Sequence, residues 1–141
     1  MRLQIVQICV ICAFAGALVS VADGSKDAAL NAAKSWLALV DSGKYAESWD
    51  ESAQVLKKQI ARDDWIKKLN SLRSQLGKVE SRVLNSCVSF TKPLPNAAES
   101  EFMTVRYDTN FEAAKSSSET VTLAEEKDDQ WRVSGYFIDR Q

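Results

Sequence analysis

The hydrophobic period of the chain changes once, at Gly77, and this change constrains the fold more than any other feature. Before Gly77, apolar residues recur every three to four positions, which is typical of amphipathic helices. After Gly77 they alternate with a period of two, which is typical of half-buried strands, and the helical period does not return. Helices that precede all the strands predict an α+β domain, because parallel α/β folds alternate the two kinds of element.

Three helical segments are predicted before the change of period. They span residues 26–42, 45–60 and 64–76. Ser25 is expected to cap the first segment and Asp63 the last, and Gly43 and Gly77 are expected to stop them in a left-handed conformation. The middle segment is either one helix or a helix followed by a short helical turn. Trp36, Trp49 and Trp65 lie on the apolar stripes and are therefore expected to pack in the core.

Four strands are predicted after Gly77. They span residues 78–90, 101–111, 117–125 and 131–138. Their connections are short, so we expect the strands to pair in chain order as an antiparallel meander that curves around the helices. Together the segments predict N-terminal helices packed on a curved four-stranded antiparallel sheet.

Two strands carry specific expectations about which side chains face the core. In the first strand, the apolar residues at 79 and 83 have the opposite parity to those at 84, 88 and 90. A bulge near residues 83–85 would bring all five to one face, and we predict one there. In the last strand, alternation predicts that Trp131, Val133 and Phe137 face the core.

The first 22 residues have the pattern of an export signal. Arg2 precedes an apolar run over residues 5–19, and small residues at 20 and 22 suit cleavage after Ala22. We therefore expect an exported protein, periplasmic or secreted, with a single domain at 23–141 and no membrane span after cleavage. An uncleaved membrane anchor is the alternative, although the apolar run is shorter than the roughly 20 residues that a spanning helix needs.

Charge and cysteine content exclude several classes of function. The net charge is −1, and the lysine pairs are broken by acidic and apolar residues, so we predict no nucleic-acid partner. Cleavage after Ala22 would remove two of the three cysteines and leave Cys87, which excludes an internal disulfide. Cys87 is expected to be a small apolar strand residue rather than a reactive thiol, because no histidine is present to activate it.

The absence of histidine also excludes most recognisable catalytic and metal sites. It rules out imidazole-dependent hydrolases, histidine-ligated metals and the zinc-protease helix motif. No glycine-rich phosphate loop is present. The acidic pairs at 125–126 and 128–129 lack the donor spacing of a calcium loop and are expected to form a charged hairpin turn. We therefore predict no metal site and no cofactor, and we assign no catalytic residue.

One polar group of residues remains as a candidate ligand site. These residues share the non-core parity of the predicted sheet: Arg106, Asp108, Thr120, Thr122, Arg132, Ser134 and Tyr136. If the sheet curves enough to close that face, Arg106, Arg132 and Tyr136 would line a cavity for a small anion. With Asp108, these three are the candidate ligand-binding residues. If the face stays open, they are solvent-facing strand residues paired across the sheet.

Several segments resemble a known family. They are residues 32–37, 41–49, 65, 118–122 and 131–136. In this order they resemble the bacterial domain-of-unknown-function family 4019 and cover nearly all of the chain after the leader. The resemblance implies an exported bacterial α+β domain of the cystatin-like or nuclear-transport-factor-like (NTF2-like) kind. It implies no activity and no functional residues.

The leading functional prediction is a non-catalytic module of the cell envelope that binds a small ligand or another envelope protein. The first alternative is a cofactor-free lyase or isomerase, in which Asp108 and Tyr136 supply an acid/base site on the concave sheet face. That enzyme would need Asp108 inside a cavity. The second alternative is an accessory subunit that pairs through the sheet, which predicts an exposed apolar patch or a dimer.

Overall fold

A computed structural model of the protein describes residues 23–92 and 100–140. The predicted leader at 1–22 and the prolines at 93 and 95 lie outside the described residues. The described elements are α1 (Asp23–Asp41), α2 (Tyr45–Asp50), α3 (Gln54–Gln59), α4 (Arg62–Leu76), β1 (Val79–Lys92), β2 (Ser100–Phe111), β3 (Ala114–Glu125) and β4 (Trp131–Arg140). Helices precede all the strands, which confirms the predicted α+β class.

The four strands form one sheet in the order β1-β2-β3-β4, with every neighbouring pair antiparallel. This confirms the predicted meander and leaves β1 and β4 as the two edges of the sheet. The middle helical segment is divided into α2 and α3, as one of the two predicted alternatives required. Four helices therefore stand in place of the three predicted segments.

The helix ends differ from the prediction at their N-termini. Ser25 lies inside α1, which already includes Asp23, so Ser25 is not its cap. The helix α4 begins at Arg62, and Ala61 occupies its N-cap without a side-chain hydrogen bond. Asp63 lies in the first turn instead, where its negative charge interacts favourably with the free N–H groups at the helix N-terminus.

The two predicted glycine stops are confirmed. Gly43 has φ +75° after α1, and Gly77 has φ +74° after α4. At Gly77 a second constraint applies, because an added Cβ would lie 2.6 Å from Oε2 of Glu112. The same Oε2 accepts a 2.9 Å hydrogen bond from the backbone N–H of Lys78. The absence of a side chain at Gly77 thus leaves room for Glu112, which binds the backbone of Lys78 just before the first strand.

The core lies between the helices and one face of the sheet, the inner face. Its helical side is built around Trp36, whose ring centroid is 6.1 Å from that of Trp65. The indole N–H of Trp36 donates to the backbone oxygen of Ser48 at 2.8 Å, and that of Trp65 donates to Oγ of Ser48 at 3.0 Å. Both rings are therefore buried with their polar atoms satisfied, as the predicted core position requires.

The predicted bulge in β1 is present, but its consequence was predicted wrongly. The pairing with β2 shifts between Leu84 and Ser86, close to the expected position. A second irregularity follows Val79, and the five apolar residues therefore do not share a face. Val83, Val88 and Phe90 lie on the outer face and are 63%, 59% and 43% exposed, because the main core forms between the helices and the inner face.

The orientation of β4 is corrected at its C-terminal half. Trp131 and Val133 are buried as predicted, with 7% and 1% exposure. The pairing with β3 then shifts by one residue at Ser134. This bulge turns Tyr136 toward the core, where its ring meets that of Trp36 edge-on at 5.2 Å. Phe137 is turned outward and is 63% exposed, so its predicted core position was wrong.

Candidate functional site

A carboxylate without solvent exposure lies at the centre of the inner sheet face. Glu119 of β3 is 0% exposed. Its Oε2 accepts hydrogen bonds from Arg82 Nε at 2.6 Å and from Thr109 Oγ1 at 3.0 Å. Its Oε1 accepts from Arg82 Nη2 at 3.1 Å and from the Tyr136 hydroxyl at 2.5 Å. A buried carboxylate requires this degree of compensation, because an unpaired charge in the core is strongly unfavourable.

Asp41 joins the same cluster from the C-terminal end of α1. Its Oδ2 accepts from Arg82 Nη1 at 2.7 Å, and its Oδ1 accepts from Arg73 Nη2 at 2.9 Å. Arg73 of α4 is 6% exposed and also donates to the Tyr136 hydroxyl at 3.3 Å. Two arginines and two carboxylates thus balance in charge. We call Asp41, Arg73, Arg82, Glu119 and Tyr136 the buried ionic cluster.

The pKa values of Asp41 and Tyr136 are shifted in directions that fix the protonation of these two residues. Burial raises the pKa of the Asp41 carboxyl, but hydrogen bonds and charges from Arg82 and Arg73 outweigh burial and lower it below 3.8. Burial, followed by the charge of Glu119 and the hydrogen bond to it, raises the pKa of Tyr136 well above 10. Asp41 is therefore ionised and Tyr136 protonated at neutral pH. The cluster links α1, α4, β1, β3 and β4, and this arrangement stabilises the fold.

A groove runs beside this cluster, between α1 and the edge strand β1. Its volume is about 530 Å³, within the range of small-molecule sites. Its lining residues come from α1, β1 and β2: Lys34, Leu37, Ala38, Asp41, Arg82, Val83, Leu84 and Tyr107. The Asp41–Arg82 ion pair belongs to both the groove and the cluster, so the charged part of the lining is held in place by the core.

Tyr107 is the unusual member of the groove lining. The residue is 4% exposed, and its hydroxyl is buried without a hydrogen-bond partner in the described part of the chain. Burial is the main cause that raises the pKa of this phenol, so it remains a hydrogen-bond donor at neutral pH. A buried hydroxyl without a partner costs about 1–3 kcal/mol. The Tyr107 hydroxyl is therefore an unpaired donor enclosed beside the groove.

The structure places Arg106 and Asp108 on the outer face of β2. Both are exposed, and the Oδ2 atom of Asp108 accepts a 2.9 Å hydrogen bond from Nδ2 of Asn85. Arg106 is paired with Thr120 of β3 in the sheet register. Neither residue lines the groove.

Arg132 and Tyr136 lie apart from that pair and from each other. Arg132 donates to Oε2 of Glu126 at 2.9 Å and to Oδ2 of Asp128 at 2.7 Å, beside the turn between β3 and β4. Tyr136 belongs to the inner face because of the β4 bulge. The four candidate residues are therefore not brought together around one cavity, since they occupy two faces of the sheet and a turn.

The sequence did contain a signal for the residues that were missed. Glu119 has the same parity in β3 as the buried Val121 and Leu123, and a charge at a core-facing position indicates a buried ion pair. Tyr107 likewise shares the core parity of β2. Arg73 lies four residues after Leu69, on the buried stripe of α4. What alternation cannot show is which partners meet these side chains.

The described residues give no indication of a metal site or a spanning helix. Within 23–92 and 100–140, no group of three or more metal-ligating side chains is close enough to hold an ion. Over the same ranges, no helix combines the length and apolarity needed to cross a bilayer. Cys87 is partly buried against the core, and burial raises the pKa of its thiol. This agrees with the expected packing role.

Comparison with known proteins identifies a family but no functional relative. The sequence profile of a family described as "Protein of unknown function (DUF4019)" matches residues 32–136. No curated protein and no solved structure matches significantly. The matched range includes every member of the buried ionic cluster and every lining residue of the groove.

Proposed function

The chain belongs to the DUF4019 family, and because the family description assigns no activity, we propose a function from the groove: a non-catalytic module that binds a small molecule between α1 and β1. The observation that carries the proposal is the Tyr107 hydroxyl. Its donor is buried and unpaired in the described part of the chain, and the residue lines a groove of suitable size. An acceptor oxygen on a ligand would supply the missing hydrogen bond.

The cell envelope is the proposed location of this module. Arg2, the apolar run at 5–19 and the small residues before position 23 support export. A binding module needs no cofactor, which is consistent with a sequence that contains no histidine and no phosphate loop. Immunoblotting of periplasmic and membrane fractions tests the location, and recovery of the protein only in the cytosolic fraction contradicts it.

Binding is better supported than the enzymatic alternative. A lyase or isomerase site built on Asp108 and Tyr136 requires both side chains to face one cavity. Asp108 is exposed on the outer face, and Tyr136 faces the core on the inner face. The hydroxyl of Tyr136 is also engaged with Glu119 and Arg73, which leaves it poorly placed to exchange a proton with a substrate.

A second candidate function is pairing with another copy through the β1 edge. Residues 84–91 of this edge strand contain no charged residue and no proline, and Val88 and Phe90 are exposed on its outer face. Edge strands usually carry charges that prevent such pairing. Light scattering over a range of concentrations tests this function. A dimer that is lost in Val88→Lys supports it, and a monomer at high concentration contradicts it.

The test of small-molecule binding uses 1-octanol as a neutral probe that has an acceptor oxygen. We expect the methyl NMR signals of Leu37, Ala38 and Leu84 to shift on titration. In Tyr107→Phe the affinity should fall about five- to tenfold, because one hydrogen bond is lost. Tyr45→Phe, outside the groove, should bind like the wild type. Groove signals that do not respond to the probe would contradict the proposal.

A further inference from the structure

Lys34 gives the groove a positive charge that no described residue balances. It lies on the same face of α1 as Leu37, Ala38 and Asp41, because these positions are spaced by three or four residues. In the described part of the chain, no ion pair or side-chain hydrogen bond involves Lys34. The other two charges in the lining are paired with each other, since Asp41 Oδ2 is 2.7 Å from Arg82 Nη1.

The rest of the lining is mainly apolar. Leu37, Ala38 and Leu84 supply aliphatic surface, and the ring of Tyr107 adds aromatic surface. Leu37 is 1% exposed and is fixed in the core, whereas Leu84 is 46% exposed. An aliphatic ligand body would be removed from water by contact with these side chains, which is favourable at roughly 25 cal/mol per Å² of apolar surface buried.

From these features we infer that the ligand is an amphiphilic carboxylate with an aliphatic body. This inference rests on the proposed binding function and specifies its ligand class. The aliphatic body packs on Leu37, Ala38 and Leu84. The carboxylate accepts a hydrogen bond from the Tyr107 hydroxyl and is attracted by the ammonium group of Lys34. A charged acceptor suits a phenol donor, because hydrogen bonds to ionised groups are stronger than neutral ones.

The inference includes one local movement that exposes the Tyr107 hydroxyl, and we assign that movement to the side chain of Leu84. The hydroxyl is enclosed, and Leu84 is the cross-strand partner of Tyr107 on the inner face. Leu84 belongs to an edge strand and adjoins the β1 bulge, and its exposure leaves room for a change of rotamer. Rotation of an exposed side chain occurs on a picosecond to nanosecond timescale, so it does not limit binding.

The test compares three probes of equal chain length: octanoate, 1-octanol and octylammonium. Calorimetric titration of the protein should give an octanoate affinity at least tenfold higher than that of 1-octanol, and the weakest binding for octylammonium. In Lys34→Gln the octanoate affinity should fall about three- to fivefold, while the 1-octanol affinity should not change. The matched control is Lys68→Gln, an exposed lysine of α4, which should leave both affinities unchanged.

The outcomes separate this inference from the function on which it rests. If octanoate and 1-octanol bind within twofold of each other, or if Lys34→Gln leaves octanoate binding unchanged, the carboxylate assignment is wrong and the groove remains a binding site. Tighter binding of octylammonium overturns the assignment in the same way. If none of the three probes shifts the methyl signals of Leu37 and Leu84, both the ligand class and the binding function are wrong.

Discussion

The hydroxyl of Tyr136 donates a 2.5 Å hydrogen bond to Oε1 of Glu119, a carboxylate with no solvent exposure. The phenol reaches this position because the bulge at Ser134 reverses the orientation of the C-terminal half of β4. Arg82 donates two further hydrogen bonds to the same carboxylate from the edge strand on the opposite side of the sheet. One acidic side chain therefore connects both edges of the sheet through the core.

Removing the charge of Glu119 should destabilise the protein severely. Glu119→Gln leaves Arg82 and Arg73 with only the Asp41 carboxylate, whose side chain is 30% exposed, and breaking a buried pair costs about 3–5 kcal/mol. Urea unfolding followed by circular dichroism measures the loss. Glu47→Gln, which removes an exposed 3.7 Å pair with Lys44, should change stability by less than about 0.5 kcal/mol.

A milder variant keeps this prediction measurable if Glu119→Gln does not fold. Tyr136→Phe retains the ring packing against Trp36 and removes only the hydroxyl, with a loss of about 1.5–3 kcal/mol for a hydrogen bond to a charged group. A loss no larger than that of Glu47→Gln would show that the contact between Tyr136 and Glu119 contributes little to stability.

Acid should weaken the protein through Asp41. The pKa of this carboxyl is lower in the folded protein than in the unfolded chain. Its contribution to the unfolding free energy is therefore complete above the unfolded pKa and is lost as pH falls through the folded pKa. Asp41→Asn should therefore be less stable at neutral pH and lose less stability below about pH 4. Urea unfolding midpoints measured between neutral and acidic pH give the slope of stability against pH for the wild type and for Asp41→Asn.

Part of the acid sensitivity should remain in Asp41→Asn. Hydrogen bonds from Arg132 lower the pKa of Asp128 to about 2, and those from Arg62 lower the pKa of Asp50. Asp27→Asn, a substitution at an exposed position of α1 outside the cluster, should keep the wild-type slope. If Asp41→Asn has the same acid slope as the wild type, Asp41 does not contribute to the pH dependence.

Periodicity predicted the class, the strand order and the meander because these depend on local patterns and short connections. The orientation of individual side chains was predicted less well, because a single bulge reverses parity. In β4 the isolated Gly135 beside the bulge indicates a bend, but it does not show which side chains change face. Phe137 and Tyr136 exchanged faces for this reason. The groove is the space between α1 and β1, and the sequence pattern does not show how a helix is placed along an edge strand.

Two glycine substitutions should differ in cost because the backbone and the surroundings of the two glycines differ. Gly43 and Gly77 have nearly equal positive φ angles, but only Gly77 lacks space for a Cβ. Gly43→Ala should cost about 1 kcal/mol from the left-handed conformation alone. Gly77→Ala should cost at least about 1 kcal/mol more. Its ψ of −159° lies in a region that is essentially restricted to glycine, and Glu112 must also move and release the N–H of Lys78.

The comparison is made by urea unfolding of the two variants and the wild type. Gly24→Ala provides a third reference, since Gly24 lies in α1 with no atom within 4 Å of the added Cβ. It should change stability by no more than about 0.5 kcal/mol, because Gly24 lies in the first turn of α1, where the helix propensity of alanine counts less than in the interior. Equal losses in Gly43→Ala and Gly77→Ala would contradict both the added backbone strain and the steric overlap at Gly77.

The orientation of β4 is tested by substituting its exposed aromatic residue. Phe137 is 63% exposed on the outer face, so Phe137→Ser should change the unfolding free energy by no more than about 0.5 kcal/mol. Val133 is 1% exposed on the inner face, and Val133→Ala should cost about 2 kcal/mol, because it removes two buried methyl groups from a closely packed core. Without the bulge at Ser134, simple alternation would place Phe137 in the core beside Val133. A loss of about 3 kcal/mol or more in Phe137→Ser would therefore contradict the bulge and favour a regular strand. A small loss in Phe137→Ser together with a large one in Val133→Ala supports the reversed C-terminal half of β4, which brings Tyr136 to Glu119.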